Sequence, residues 1–429
     1  AFLSRSHMYF KQGNFDAAFQ DASRSLEIDP TQKVAYGLRG NILMQRREFD
    51  RAMVEYESIL KINPDQAEAL SCRGLIRFKK RDFEGALEDS TRTLELDPRM
   101  SGAYYVRGSA LPYLNRSEEA IRDLSKAIDL DSTCEEYYVS RAFAWTMGGT
   151  LDRALEDCRM ALSLNPGSAM AHHYQGVIHR RRHEWDKAIA DQTRALEVDP
   201  RYAPALYERA LARSGNDDVE GVIQDCSLTL EIDPKAAPVY ALRGNALLKD
   251  GKQGPAEKDL TEAIALDSKC VLAFSSRASL YCQLKDWEKA IPDCSRAIEL
   301  APEQVDSWIN RAQARYSLGE LREALEDINQ ALTLAPNNLM AHNLRGMVRC
   351  QSKDWAKAIE DYSRVIQLNK ECAVAWVNRG FARAALGDWS TALYDCEKGL
   401  QWMGKDDPSR PAVEEWVRKT RASLGRTSD

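Results

Sequence analysis

The apolar positions of this chain return in the same order every 34 residues. Segments 33–66, 67–100 and 271–304 align without a single insertion, and units that start at 33 plus multiples of 34 give twelve repeats. Within a repeat the apolar residues follow helical spacing, as in AIEDYSRVIQL over 358–368. A constant period of this length is typical of proteins in which one helix pair stacks on the next. The pattern therefore predicts an all-α chain of helical hairpins.

Three columns of the repeat indicate how its two helices, A and B, fit together. The eighth position is Gly, Ala or Ser in every repeat, and the twentieth is Ala in every repeat except at Val222. Two helices approach closely only where neither presents a bulky side chain, so these columns mark the crossing of helix A and helix B. Eight repeats carry Pro at the thirty-second position, as at Pro98 and Pro200, where it ends the second helix. We expect twelve such pairs over residues 1–406, the first lacking two residues.

An amphipathic segment follows the last repeat. In 409–425 the apolar residues share one helical face, and Ser409 and Pro411 stand at its start, as is typical of a helix N-terminus. A stack of repeats needs an end that water tolerates, so residues 407–429 are expected to form a capping helix and tail. The chain opens directly in a helical pattern, and we therefore expect it to be a piece of a longer chain.

A large side chain recurs just before the small Ala that begins helix B. These side chains are predicted to be core wedges: Phe15, Phe49, Phe83, Trp185, Trp287, Trp355 and Trp389. Together with the small, Ala and Pro columns, they make residues 1–406 resemble the tetratricopeptide repeat family. The resemblance implies a right-handed superhelical α-solenoid of antiparallel helix pairs, in which the A helices line a concave groove.

Two charged columns depart from the commonest pattern of that family. The seventh position is Arg in eleven repeats, with Gln175 as the exception, and the twenty-third is Asp in eleven, with Glu55 as the exception. Because helices A and B are antiparallel, these positions fall at the same height. We predict a structural ladder in which each carboxylate bridges the guanidinium groups of its own and the following repeat. Its predicted members are Arg39, Arg73, Arg107, Asp123, Arg141, Asp157, Arg277, Asp293, Arg311, Asp327, Arg345 and Asp361. A basic strip for acidic partners is the alternative interpretation.

The family geometry also implies which side chains line the concave groove. The implied partner-binding residues are Tyr105, Tyr113, Phe143, Met147, His173, Tyr174, Arg180, Tyr207, Asn310, Asn343 and Asn378. Aromatic and Met side chains between small polar ones suit an extended peptide or a partner helix with apolar anchors. The Lys, Asn and Arg set by which chaperone-tail receptors of this family clamp a carboxylate is absent from these positions. Only Asn310 and Asn378 fit the Asn ladder of glycosyltransferase-type arrays.

Charge and composition narrow the class of partner. The net charge of −6 is spread along the chain without a basic block, which argues against nucleic acid, including single-stranded RNA, as a partner. No apolar run is long enough for a membrane helix, so membrane insertion is not expected. Ten cysteines without a CxxC pair indicate reduced thiols and a cytoplasmic location.

No constellation of residues for catalysis stands out. Gly-rich phosphate-binding motifs are absent. His179 and His183 are four residues apart but lack a third ligand at matching spacing, so a solvated basic patch with Arg180 is preferred to a metal site. A column of cysteines at the twenty-fourth position is predicted to be small core residues: Cys158, Cys226, Cys294 and Cys396. We expect no enzyme activity, no cofactor and no metal.

The sequence therefore favours a protein-interaction scaffold whose groove binds a peptide or helix of a partner. The alternative is a regulatory or targeting segment of a larger enzyme whose catalytic domain lies outside this chain. Residues 214–256, where Gly and Pro interrupt the start of helix B and wedges are missing, are predicted to exchange their amide hydrogens faster than 303–400.

Overall fold

A computed structural model describes residues 1–426, and within them every regular element is a helix. The chain divides into two compact units, residues 1–217 and 218–429. The boundary lies in the seventh repeat, between its helix A and its helix B. Of the capping segment predicted from the sequence, residues 427–429 lie outside the described part of the chain.

The first unit contains six consecutive helix pairs and one further helix A. Its helices are α1 (Phe2–Lys11), α2 (Phe15–Ile28), α3 (Lys33–Gln45), α4 (Phe49–Ile62), α5 (Ala67–Lys79), α6 (Phe83–Leu96), α7 (Ser101–Ala110), α8 (Ser117–Leu130), α9 (Glu135–Met147), α10 (Leu151–Leu164), α11 (Ala169–Arg181), α12 (Trp185–Val198) and α13 (Ala203–Gly215). A 3-10 turn, Leu111–Leu114, extends α7. In each of the six pairs helix A packs on its own helix B, and each helix B packs on helix A of the following repeat, so the unit is an α-solenoid of antiparallel pairs.

The second unit begins with a helix B, continues through five full pairs and ends with an added helix. Its helices are α14 (Val219–Ile232), α15 (Ala237–Lys249), α16 (Gln253–Leu266), α17 (Val271–Gln283), α18 (Trp287–Leu300), α19 (Val305–Leu318), α20 (Leu321–Leu334), α21 (Leu339–Gln351), α22 (Trp355–Leu368), α23 (Ala373–Ala385), α24 (Trp389–Trp402) and α25 (Arg410–Arg426). The same pairwise packing recurs here. The predicted all-α solenoid of antiparallel helix pairs is confirmed in each unit.

The small eighth position lies where the two helices of a repeat touch. A Cβ added at Gly346 would come within 2.6 Å of the Tyr362 ring, and one at Gly380 within 2.6 Å of the Cys396 sulfur. The second of these would also meet the Ala392 carbonyl, at the twentieth position, at 2.9 Å. The backbones thus approach until only hydrogen fits between them, which fixes the register of the pair.

The residue at the fifteenth position has a left-handed φ in every repeat, a feature that the sequence analysis did not identify. Glycine adopts this φ without steric cost, while the other residues carry a Cβ that crowds the backbone. The glycines are Gly13, Gly149, Gly251, Gly319 and Gly387, and the other residues are Arg47, Arg81, Asn115, His183, Asp217, Lys285 and Lys353. The repeated conformation sets a short turn of constant length after each helix A.

Six of the seven predicted wedges are half-buried, whereas Trp389 in the last repeat remains 48% exposed. Trp185 shows what a wedge contacts, since its ring packs on Gly215 in helix A of the following repeat. After α24 the chain supplies α25 instead of a further helix A. Helix α25 buries Val413 and Val417 against the last pair and leaves Trp389 uncovered.

Candidate functional site

Aromatic side chains follow one another from α5 to α11 on the A-helix side of the first unit. Tyr113 stacks on Phe83 with ring centroids 4.2 Å apart and planes nearly parallel at 1°. Phe143 lies next to it, 5.4 Å from Tyr113 and 5.5 Å from Tyr174. Offset and tilted ring pairs at these distances are favourable contacts, so the series is held in place by its own packing.

A proline positions Tyr113 within this series. Pro112 ends the α-helical hydrogen bonding of α7 and converts its last turn into the 3-10 turn that carries Tyr113. Asn115 then adopts the left-handed φ that closes the turn. The tighter turn presents the ring of Tyr113, which is 45% exposed, above the wedge Phe83 of the preceding repeat.

The rings border a cavity of about 780 Å³, which we call the aromatic groove. Its aromatic lining is Phe78, Tyr105, Tyr113, Tyr137, Phe143 and Tyr174. Four of these were predicted from the sequence, while Phe78 and Tyr137 were not. A signal for Tyr137 was present in the sequence, because it occupies the third position of its repeat, where most other repeats have Ala.

Two acidic residues and the buried hydroxyl of Ser109 also line the aromatic groove. Glu135 and Glu136 form the first turn of α9, and Lys79 is the basic residue in the lining. Ser109 is only 4% exposed, and its Oγ has no hydrogen-bond partner among the described residues. The Oε2 atom of Glu135 is likewise buried and without a partner in that part of the chain.

The negative charge at this edge of the groove affects the pKa of a neighbouring tyrosine. Burial, and after it the negative charge of Glu136, raises the pKa of Tyr105 to about 12. The groove therefore combines neutral aromatic walls with a negative edge, because its two carboxylates outnumber its single ammonium group. Sequence reasoning missed all of these polar groups.

Four other residues predicted for the groove of the first unit do not line the cavity. His173 is buried, with Nδ1 3.1 Å from the Gln192 amide oxygen, and burial lowers its pKa. Arg180 pairs with Glu208, with 2.5 Å between Nε and Oε2. Met147 is exposed with its sulfur 3.9 Å from an Arg181 nitrogen, and Tyr207 lies half-buried on α13. His173 differs from the prediction because it points toward its own helix B rather than out of the pair.

The corresponding face of the second unit holds a cavity of about 480 Å³, which we call the polar groove. Its polar lining is Asn245, Ser275, Ser276, Ser279, Gln304, Asp306 and Asn310. Asn310, one of the residues implied for the concave groove, lines this cavity. Asn343 is half-buried, with Nδ2 3.8 Å from the Met347 sulfur, and Asn378 is half-buried; neither lines the polar groove.

The arginine and acidic columns meet within each repeat. The seventh-position Arg contacts the twenty-third-position carboxylate of its own repeat in the following pairs: Arg5–Asp21, Arg39–Glu55, Arg73–Asp89, Arg107–Asp123, Arg141–Asp157, Arg243–Asp259, Arg277–Asp293, Arg311–Asp327, Arg345–Asp361 and Arg379–Asp395. We call each of these Arg–carboxylate pairs a rung. Most rungs have two parallel hydrogen bonds, as at Arg141, where Nε and Nη2 lie 2.8 and 2.7 Å from the two Asp157 oxygens. This fork geometry is one that Lys does not provide.

The link between repeats differs from the prediction. The second guanidinium on a rung carboxylate comes from the same helix A, one turn later, as when Arg315 joins Arg311 on Asp327. The following repeat is reached instead through a side chain two residues after the Asp: Arg311 Nη1 donates to the Ser295 hydroxyl at 3.0 Å. Two residues along a helix turn the side chain by about 200°, which carries it from the partner helix toward the next repeat.

Repeat six, which has Gln175 in the arginine column, replaces the rung with another residue. His179 Nδ1 lies 2.6 Å from Asp191 Oδ2, so a histidine one turn later reaches the carboxylate. The predicted solvated basic patch is not what the structure shows, because Arg182 pairs with Asp152 and Arg181 donates to the Thr146 carbonyl. These arginines differ from the prediction because a carboxylate and a backbone carbonyl of the preceding repeat lie within their reach.

The cysteine column is inside the repeats. Cys158, Cys226, Cys294 and Cys396 are fully buried, and burial raises the pKa of Cys158 to about 12. Over residues 1–426, no cluster of three or more His, Cys, Asp or Glu side chains has the arrangement of a metal site. None of the helices described in this range has the length and apolar character needed to cross a membrane.

Models of the tetratricopeptide repeat match four stretches of the chain, residues 9–76, 101–134, 242–305 and 278–349. Among solved structures, the chain is similar to the APC/C hetero-tetramer Cut9–Hcn1, with 15% identity over 98% of this chain and 89% of that chain and a TM-score of 0.50. It is also similar to yeast Tom70 (14% identity, 92% and 97% covered, TM-score 0.40). A further similar structure is YrrB, a TPR protein with an unusual peptide-binding site (22% identity, 43% and 95% covered, TM-score 0.34).

No curated protein matches the sequence. The likeness to Cut9–Hcn1 supports the fold, and the four repeat matches agree with the period of 34 residues and with the consecutive helix pairs. The chain belongs to the tetratricopeptide repeat family.

Proposed function

We propose that this chain is a non-catalytic scaffold that holds a segment of a partner protein in the aromatic groove. The observation that carries the proposal is the continuous ring series around a cavity of about 780 Å³. Aromatic side chains that remain accessible and fixed in position are the usual anchors of peptide recognition. The family is one of protein-interaction repeats, which supports the same class of function.

A segment with apolar side chains fits this groove best. Tyr113 is 45% exposed, and Phe143 and Tyr174 are half-buried, so each ring offers a face that a partner side chain can cover. Because these rings already pack on one another, little conformational entropy is lost when a partner covers them. The ten cysteines, all unpaired, support a reducing compartment, and we place the protein in the cytoplasm on that basis.

Selection from a phage-displayed library of random twelve-residue peptides tests the proposal. The immobilised chain is expected to enrich peptides with two or more apolar residues at fixed spacing. The Tyr113→Ala/Phe143→Ala double variant should lose this enrichment, whereas an Asn310→Ala/Asn343→Ala control in the second unit should keep it. Melting curves of both variants verify that the fold persists. Failure of the wild-type chain to enrich any peptide, or equal enrichment by the aromatic double variant, contradicts the proposal.

A further inference from the structure

The aromatic groove contains two buried polar atoms that the described residues leave without a hydrogen-bond partner. The hydroxyl of Ser109, a residue 4% exposed, and Glu135 Oε2 both lack a hydrogen-bond partner among the described residues, and both residues line the cavity. Elsewhere the protein satisfies such groups internally, as where Thr146 Oγ1 donates to the Ala142 carbonyl at 2.7 Å. Both atoms are closed to solvent in the unliganded protein, so a ligand reaches them only when their side chains rotate toward the cavity. A ligand that then supplies donors relieves a cost of about 1–3 kcal/mol for each buried polar atom without a partner.

The same place is favourable for a cation. Glu135 and Glu136 stand together at the groove edge, and the rings of Tyr105 and Tyr137 lie next to each other with centroids 5.2 Å apart. A ring face attracts a cation through its quadrupole, and the attraction is stronger where water is displaced. The lining thus offers negative charge, aromatic faces and free acceptors within one cavity.

We propose that this part of the aromatic groove binds an arginine side chain of the partner segment. The inference rests on the proposed function and specifies the chemistry of the segment that the groove holds. A guanidinium group is planar, stacks on aromatic rings and has five N–H donors in a fixed fork. It therefore meets all three properties of the site, with donors for Ser109 and Glu135 and positive charge for Glu136.

Other cations fit the site less well. A lysine ammonium is a compact, strongly hydrated charge and does not stack on rings. A quaternary ammonium group suits aromatic cages but has no N–H to donate, so Ser109 and Glu135 Oε2 would stay unpaired.

The acidic pair has a structural alternative, since carboxylates in the first turn of a helix also stabilise the helix dipole. The chain provides a matched control for this effect. Glu118 and Glu119 occupy the first turn of α8 and are not part of the groove lining. The variants Glu135→Gln/Glu136→Gln and Glu118→Gln/Glu119→Gln change the net charge equally, and each removes two carboxylates from the first turn of a helix. The second variant also breaks the Glu119–Arg116 ion pair, so it is the more demanding test of stability.

The test uses the whole chain and the same phage-displayed library of random twelve-residue peptides. We expect the selected peptides to carry arginine at one fixed position relative to their apolar residues. Glu135→Gln/Glu136→Gln should lose the arginine preference and keep the apolar one, while Glu118→Gln/Glu119→Gln keeps both. Ser109→Ala should weaken the arginine peptide several-fold and serves as a second variant if the acidic double variant fails to fold.

Synthetic versions of one selected peptide then separate the candidate cations by fluorescence polarisation. Replacing arginine by its neutral isostere citrulline should weaken binding about tenfold to a hundredfold, because charge-assisted hydrogen bonds and the ring–cation contact are both lost. Equal affinity of the citrulline peptide, or of a trimethyl-lysine peptide, overturns the inference while leaving peptide binding intact. A library that yields no peptide at all contradicts both this inference and the proposed function.

Discussion

The aromatic groove of the first unit and the polar groove of the second are built on the same repeat but present different chemistry. Both units have the small eighth position, the buried Ala at the twentieth and the arginine–carboxylate rungs. The lining changes from rings and glutamates to asparagines and serines. The residues that hold a repeat together are thus separate from those that line the two grooves. This separation predicts that stability and binding respond to different substitutions.

The largest expected effect concerns a rung. Asp157 pairs with Arg141 and its side chain is 5% exposed, so Arg141→Ala leaves a buried carboxylate without a charge partner. We expect a loss of about 3–5 kcal/mol in the free energy of unfolding, measured by urea denaturation with circular dichroism. Arg159→Ala, at an exposed position of the same repeat, is the control and should change little.

The second unit sharpens this prediction. Asp327 contacts both Arg311 and Arg315, so Arg311→Ala leaves one guanidinium on the carboxylate and should cost less than Arg141→Ala. Neither substitution should change peptide affinity more than twofold, since we propose that the ladder is structural. Unchanged melting with altered affinity would favour the basic-strip interpretation instead.

The next largest effect is expected on peptide affinity, from a substitution in the lining of the aromatic groove. Phe143→Ala removes the ring between Tyr113 and Tyr174, and we expect the affinity for a library-selected peptide to fall by about 2 kcal/mol, roughly thirtyfold. Asn310→Ala makes a comparable truncation in the polar groove and should leave that affinity unchanged. Fluorescence polarisation measures both variants. Equal losses from the two would mean that the grooves do not differ in the way their linings suggest.

A smaller effect comes from the one rung that uses glutamate. Arg39 Nη2 lies 2.5 Å from Glu55 Oε1, but Arg39 Nε and Glu55 Oε2 have no hydrogen-bond partner among residues 1–426. The extra methylene of Glu misplaces the carboxylate against the guanidinium fork that Asp fits in other repeats. Glu55→Asp should restore the second bond and add about 1 kcal/mol of stability at neutral pH.

The pH dependence of this variant has a defined sign. Burial raises the pKa of Glu55 above its ordinary value, although Arg39 opposes the shift. The folded state therefore binds this proton more tightly than the unfolded state, and acidification through the raised pKa stabilises the wild type. The advantage of Glu55→Asp should consequently be largest at neutral pH and shrink in mild acid. If the stability difference between Glu55→Asp and the wild type grew on acidification, burial would not be the main influence on the pKa of Glu55.

The fold could be predicted from the sequence because its determinants are local and repeated. A small residue such as Gly346 and a helix-ending Pro such as Pro98 act within one repeat, so the period of 34 residues displays the first in all twelve repeats and the second in eight. The order of the pairs follows from the chain itself. The left-handed turn residue was missed because Arg, Lys and Gly all occupy that position, and composition alone does not report φ.

The lining of the groove was only partly predictable because it depends on single departures from the pattern. Pro112 moves Tyr113 onto Phe83, and no other repeat has this turn among the described helices. His173 was expected in the groove but points toward Gln192, a polar residue that takes the place of a small or apolar one in helix B. The direction of each of these side chains depends on one particular neighbour. The pattern shared by the twelve repeats does not contain that information.

The smallest expected effect lies in the eighth repeat, whose helix B begins without a wedge. A cavity of about 670 Å³ borders Gly254 and Pro255, and a Cβ added at Gly254 meets no atom within 4 Å. Gly254→Ala should therefore add roughly 0.5–1 kcal/mol by removing conformational freedom from the unfolded chain. Gly346→Ala makes the same change where the Tyr362 ring lies 2.6 Å from the new Cβ, and it should destabilise the protein.

Amide hydrogen exchange shows which residues the Gly254→Ala substitution stabilises. Residues 214–256 remain predicted to exchange faster than 303–400, because glycines and missing wedges reduce the burial that slows local opening. Gly254→Ala should slow exchange within 237–256 and leave 303–400 unchanged, since each repeat contacts only its neighbours. Slower exchange throughout the second unit would mean that its repeats open together, and the softness would then belong to the whole unit rather than to the eighth repeat.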